Sequence, residues 1–197
     1  MAALLIVVVL LRLVGCVLSG KAPVNRSQQM LQSGTAEDLS KYHRKTFLVV
    51  RVLDGDTIDV DIPDGRYPHT RIRFWGVDTP EIRHGDKPGM YFGAAAAKFT
   101  KKLTLGKKVQ LFLDEDKTRG KYGRLLAYIK LPDGRFLNEL LITEGYAYAD
   151  LRFRHNLYYK YRQLQTLARR KKKGLWRNVT SEQLPGWLQR ERPDLLK

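Results

Sequence analysis

The chain of 197 residues has room for one domain with an ordinary hydrophobic core and short extensions. Its 43% apolar content excludes a disordered chain and a multi-span membrane protein. Lys and Arg number 36 against 20 Asp and Glu, a formal net charge of +16, which suits a polyanionic partner: nucleic acid first, an acidic membrane surface second.

Ala2 to Leu18 is almost wholly aliphatic, with the small residues Gly15, Ser19 and Gly20 near its end. The segment 1–20 reads as a signal peptide cleaved near Ser19 or Gly20, or as an uncleaved membrane anchor through residues 2–18. No Lys or Arg precedes the run, Arg12 interrupts it, and it is shorter than the roughly 20 apolar residues of a full span. Leu13-Val14-Gly15-Cys16 also has the form of a bacterial lipoprotein box with Cys16 acylated. On these readings the domain is secreted, or membrane-anchored facing the extracytoplasmic or lumenal side. Cys16 is the only cysteine, so the remainder has no disulfide framework and no Cys-based metal site. Asn25-Arg26-Ser27 and Asn178-Val179-Thr180 fit the N-glycosylation pattern.

Residues 21–43 are polar and without periodicity, and read as a flexible linker. The domain is expected over 44–178. Thr46–Val52 and Thr57–Ile62 are β-rich runs separated by the hairpin signal Asp54-Gly55. Pro63-Asp64-Gly65 turns the chain, and Thr70–Val77 is a third strand. Gly93 opens a helix through Ala94–Ala97 to Leu103, closed by Gly106. Val109–Leu113 and Leu125–Leu131 return to strand. Asn138 is expected to cap a short helix, Glu139–Glu144, that Gly145 stops. Leu157–Lys172 carries a helical stripe of Leu157, Tyr161, Leu164 and Leu167–Ala168. Residues 179–197, with Pro185, Trp187 and Pro193, read as a loosely attached C-terminal tail. Together these predict an α+β, mainly β fold: a five-stranded OB-fold Greek-key barrel with three helices.

Two segments carry the chemistry. Leu53-Asp54-Gly55-Asp56-Thr57 is a hairpin turn with two carboxylates. Arg73-Phe74-Trp75-Gly76-Val77-Asp78-Thr79-Pro80-Glu81 is a strand that ends in Asp-Thr-Pro-Glu. Hard cations such as calcium take several oxygen ligands, which carboxylates from two turns and a backbone carbonyl can supply. Pro80 cannot extend the strand and keeps Thr79 out of helix, freeing that carbonyl to face a site.

Asp-Gly-Asp-Thr, Arg-x3-Val-Asp-Thr-Pro-Glu and Lys121-Tyr122-Gly123-Arg124 form a three-part signature that resembles the staphylococcal nuclease-like family. The resemblance runs from about Thr46 to Trp176 and includes Ala97-Lys98-Phe99-Thr100-Lys101-Lys102 and Leu126-Ala127-Tyr128-Ile129. It implies an OB barrel and calcium-dependent endonuclease hydrolysis of DNA, single- or double-stranded, and of RNA to 3′-phosphate ends. It implies Asp56, Asp78 and the backbone oxygen of Thr79 as ligands of one Ca2+. Glu81 resembles the residue that orients or deprotonates the attacking water, and Arg73 and Arg124 the pair that grips the scissile phosphate. The chemistry independently wants this set, since two permanently charged guanidinia and a divalent ion stabilise charge building on phosphoryl oxygens.

Lys121 and Tyr122 match positions at a nucleotide's terminal phosphate. The family's two base-side tyrosines fall at Leu151 and Phe153, a departure; Phe153 can still stack, with Tyr146 and Tyr148 as neighbouring substitutes. The run Arg169-Arg170-Lys171-Lys172-Lys173 extends the polyanion-binding surface, and Trp176 reads as packing on the barrel. A nucleic-acid adaptor on the same barrel would have lost the acidic and arginine positions; here Asp56, Arg73, Asp78, Glu81 and Arg124 are all present. The domain is expected to be a monomer.

Overall fold

The computed structural model describes residues 26–83, 85–86 and 88–196. The apolar segment 2–18, Cys16 and Asn25 lie outside the described residues. Among those described, no helix is long and apolar enough to cross a membrane.

A helix α1 (Arg26–Tyr42) leads into β1 (Thr46–Val52), β2 (Thr57–Val60), β3 (Thr70–Phe74) and the short β4 (Val77–Asp78). Then follow α2 (Gly93–Thr104), β5 (Lys108–Phe112), β6 (Leu125–Lys130), α3 (Leu137–Thr143), β7 (Tyr148–Ala149) and α4 (Tyr158–Arg170). Two 3-10 turns (Gly174–Arg177 and Ser181–Gln183) and α5 (Gly186–Glu191) complete the described chain.

The five long strands close into the barrel that the sequence predicts, in the order β1-β2-β3-β6-β5. All neighbours are antiparallel except β3 and β6, which run parallel with Ile72 opposite Leu125 and Arg73 opposite Leu126. Alternation sends Val49, Ile58, Ile72, Phe74, Leu111 and Ile129 into the interior, where each is essentially fully buried. The same alternation turns Arg71 and Arg73 of β3 to the outer face.

The strand expected to run to Val77 breaks after Phe74. Gly76 has φ 74°, and a Cβ there would meet the His155 ring at 2.5 Å, so the chain turns at a position that only glycine fits. It resumes as β4, which pairs with β7 through Asp78 opposite Tyr148. Asn138 is not a helix cap. It lies inside α3, fully buried; its Oδ1 accepts the Ile129 N–H at 2.9 Å, and its Nδ2 donates to the Trp75 carbonyl at 3.0 Å.

Both flanks depart from expectation, adding two helices to the three predicted. The stretch read as a flexible linker over 21–43 is helical from Arg26 to Tyr42. Its hold is long-range: Arg119 binds Asp38 of α1 at 2.6 Å and Asp64 of the β2–β3 turn at 2.6 Å, and Tyr42 is buried with its hydroxyl on Thr70. The C-terminal tail is not loosely attached either. Leu184, Trp187, Leu188 and Leu195 form a second core cluster with Tyr148, Ala168, Leu175 and Trp176. Trp176 is a packing residue as expected, but it packs in this second cluster and not in the barrel core.

Candidate active site

The hairpin turn between β1 and β2 and the turn after β4 are pressed together. A Cβ on Gly55 would lie 2.7 Å from Thr79 Oγ1, so glycine permits an approach closed to any larger residue. From the other side, α2 fixes the hairpin, its buried Thr100 hydroxyl donating to the Gly55 carbonyl at 2.6 Å. This is a structural task for the Thr100 of the helix motif. Asp54 braces the turn, its Oδ1 accepting the Asp56 N–H at 2.9 Å.

Asp56 points into the junction and is almost fully buried. Its Oδ2 accepts the Thr79 N–H at 2.7 Å and the Thr79 hydroxyl at 3.0 Å, and its Oδ1 accepts the Thr57 hydroxyl at 3.1 Å. Arg73, on the outer face of β3, places its guanidinium between Asp56 Oδ2 and Asp78 Oδ1, the latter at 2.6 Å. Asp78 Oδ2 accepts the indole N–H of Trp187 at 2.8 Å. Asp56, Arg73, Asp78 and Thr79 are thus brought into one cluster from two turns and a strand.

Burial dominates the electrostatics. It pushes the Asp56 carboxyl up to about 6, against the attraction of Arg73 and with added repulsion from Asp54. Asp78 is raised as well, by burial first, with Arg73 opposing. Burial works against the Arg73 charge, but Asp56 and Asp78 outweigh it and its pKa is raised. Two buried carboxylates sharing one guanidinium form a hard, anion-rich oxygen set, which fits a small divalent cation. Among the described residues no three His, Cys, Asp or Glu side chains are grouped to hold a metal. The expected set of two carboxylates and a backbone carbonyl falls below that count.

Glu81 follows on the exposed side of the turn, and its carbonyl accepts the Met90 N–H at 2.9 Å, which shapes the loop. Arg124 stands immediately before Leu125, the partner of Ile72, so the parallel pairing brings it to the outer face that carries Arg71 and Arg73. There it lines an open groove of about 470 Å³ with Arg51, Tyr67, His69, Arg71 and Tyr122. Tyr122 is strongly exposed, with Lys121 Nζ at 5.8 Å and the Arg124 guanidinium at 5.9 Å from its ring.

Of the aromatic candidates, Phe153 is 44% exposed, stacks on Trp75 at 6.1 Å and has Lys117 Nζ 5.3 Å from its ring. Leu151 packs against the core. Tyr148 is fully buried and so does not offer a face to a base, while Tyr146 is half-buried and stacks on Phe99 at 4.1 Å. Sequence reasoning missed Arg152 and Trp187. Arg152 forms two 2.8 Å bonds to Asp150, reaches Asp78 at 3.5 Å and lies 4.6 Å over the Trp187 ring. No local pattern marks either residue.

Comparison with known proteins accords with this geometry. The family described as "Staphylococcal nuclease homologue" matches residues 71–178. The chain is similar to the "Thermonuclease" of Staphylococcus hyicus, 40% identical over 155 residues that cover 77% of this chain and 88% of that protein. It is likewise 40% identical to the "Thermonuclease" of Staphylococcus intermedius over 136 residues, 67% of this chain and 76% of the relative. "Endonuclease YncB" of Bacillus subtilis (strain 168) is 36% identical over 123 residues, 62% of this chain and 56% of that protein.

Proposed function

Because this chain belongs to the staphylococcal nuclease family, we propose that it hydrolyses phosphodiester bonds of DNA and RNA with one calcium ion, leaving 3′-phosphate ends. The protein is a nuclease, and its +16 charge suits the polyanionic substrate. The observation that carries the finer reading is the junction of Asp56, Arg73 and Asp78, with Arg124 on the neighbouring strand end across the β3–β6 pairing.

Asp56, Asp78 and the Thr79 carbonyl would hold the calcium, which when bound supplies positive charge beside the phosphoryl oxygens. Arg73, paired with Asp56 and Asp78 in the free protein, would yield those carboxylates to the cation and turn its guanidinium to the scissile phosphate. Arg124 reaches the phosphate from the groove, its planar fork matching two oxygens. Glu81, on the solvent side of the same turn, orients the attacking water and takes its proton. Lys121 and Tyr122 hold a neighbouring phosphate, and Phe153 offers the aromatic face for a base. A groove of this kind takes an unstacked strand more readily than a rigid duplex, so single-stranded DNA and RNA are the faster substrates and double-stranded DNA the slower. The apolar N-terminal run supports export, as a secreted monomer or one tethered through residues 2–18.

Cleavage assays with calcium and then chelator test the activity, and two variants separate the roles. Asp56→Asn is expected to weaken calcium binding, with turnover partly restored at high calcium. Glu81→Gln is expected to keep calcium binding near wild type while turnover falls steeply at saturating metal. Equal cleavage in calcium and in chelator refutes the calcium reading. The reverse pattern in the two variants overturns the assignment of Asp56 and Glu81.

A further inference from the structure

The segment after residue 178 lies beyond the stretch that matches the family, yet it reaches the centre of the site. Trp187, on α5, is 109 positions from Asp78 in the chain, and its indole N–H donates to Asp78 Oδ2 at 2.8 Å. The ring is held on both sides. One face of the segment packs into the second core through Leu184, Leu188 and Leu195, all buried. The Arg152 guanidinium lies 4.6 Å over the ring and is itself fixed by two bonds to Asp150. An indole so caged has little freedom, and neither has the carboxylate that it binds.

The two oxygens of Asp78 are treated differently. Oδ2 is bound by a neutral donor, which orients the group without cancelling its charge. Oδ1 faces Arg73 and, across that guanidinium, Asp56 Oδ2, with the Arg152 guanidinium at 3.5 Å. The neutral bond thus fixes the carboxylate plane so that Oδ1 is the oxygen presented to the space shared with Asp56. Outer partners of this kind orient metal ligands, and their loss commonly lowers metal affinity by about 10–100-fold.

We propose that Trp187 is a positioning residue: the C-terminal segment uses its indole N–H to aim the Asp78 carboxylate for calcium. The inference rests on the reading of Asp78 as a calcium ligand. It makes the C-terminal segment part of the working site.

The test is calcium titration of the full chain by calorimetry, with thermal unfolding in chelator alongside. Trp187→Phe keeps an aromatic ring under Arg152 but removes the donor, and calcium affinity is expected to fall about tenfold. Leu195→Ala loosens the same cluster and leaves the indole in place; its melting temperature is expected to fall while calcium affinity stays within about twofold of wild type. Equal affinity in wild type and Trp187→Phe overturns the proposal, as does an equally large loss in Leu195→Ala. A wild-type chain that takes up no calcium removes the ligand reading of Asp78, and the inference with it. In wild-type protein labelled with 15N-tryptophan, the Trp187 indole N–H resonance is expected to move as calcium saturates. The Trp176 signal, whose buried indole has no acceptor among the described residues, is expected to stay. A Trp187 signal indifferent to calcium overturns the proposal even where Trp187→Phe fails to fold.

Discussion

Asn138→Ala is expected to cost the fold about 3–5 kcal/mol. The side chain is fully buried and its amide links three backbone groups: Oδ1 accepts the Ile129 N–H at 2.9 Å, and Nδ2 donates to the Trp75 carbonyl at 3.0 Å and to the Ala127 carbonyl at 3.3 Å. The Ala127 carbonyl keeps the Trp75 N–H at 2.9 Å after the change, but the Ile129 N–H and the Trp75 carbonyl lose their Asn138 partner inside the protein. Each such stranded group costs about 1–3 kcal/mol, and the missing atoms leave a small hollow. For a chain of this size each kcal/mol lowers Tm by about 2–4 °C, so thermal unfolding followed by circular dichroism is expected to shift down by about 6–20 °C. Asn138→Asp keeps an acceptor for Ile129 but sets a second oxygen against the Trp75 carbonyl, and is expected to be at least as damaging. Trp75 leads directly into Gly76, Val77 and Asp78, so activity in either variant is expected to fall with the folded fraction. A loss below about 1 kcal/mol in Asn138→Ala would refute the reasoning.

Two further outcomes follow from the site. Arg124→Lys is expected to lower turnover by about 10²–10³, because a point charge cannot reproduce a two-oxygen contact; near-normal single-turnover rates would remove Arg124 from the phosphate. The Asp56 carboxyl is raised from 3.8 to about 6 in the fold, so the folded chain holds the extra proton across that interval. Its contribution is therefore most favourable below the unfolded value and is lost as pH rises towards 6, on the order of 1–3 kcal/mol. Urea unfolding in chelator checks this: the stability gap between wild type and Asp56→Asn should change between pH 4 and 7, and a constant gap contradicts it.

The barrel was legible because its strands are β-rich or apolar runs set off by turn signals, such as Asp54-Gly55 and Pro63-Asp64-Gly65. The reactive cluster was legible for a different reason: Asp56, Arg73 and Asp78 lie within short segments whose spacing is a signature. What escaped is held by partners far along the chain. Helix α1 has a polar, Ser- and Gln-rich sequence with no apolar stripe, and its anchor is a pair between Asp38 and Arg119, 81 positions apart. Asn138 looks like a cap because Asn favours caps, but burial gives its amide a rarer use in bridging β6 to the β3–β4 turn. The link from Trp187 to Asp78 leaves no trace in either local sequence, and a stretch with two prolines reads as a tail.

The parallel pairing of β3 with β6 has a consequence for when the molecule becomes dangerous to nucleic acid. Arg73 lies on β3 and Arg124 at the threshold of β6, with β4, α2 and β5 threaded between them. Contacts between strands so far apart in sequence form late, since loop closure precedes their reward. A chain in which that seam is open carries Arg73 and Arg124, the two arginines proposed to grip the phosphate, on unconnected segments. On those proposed roles, cutting waits on closure of the β3–β6 seam.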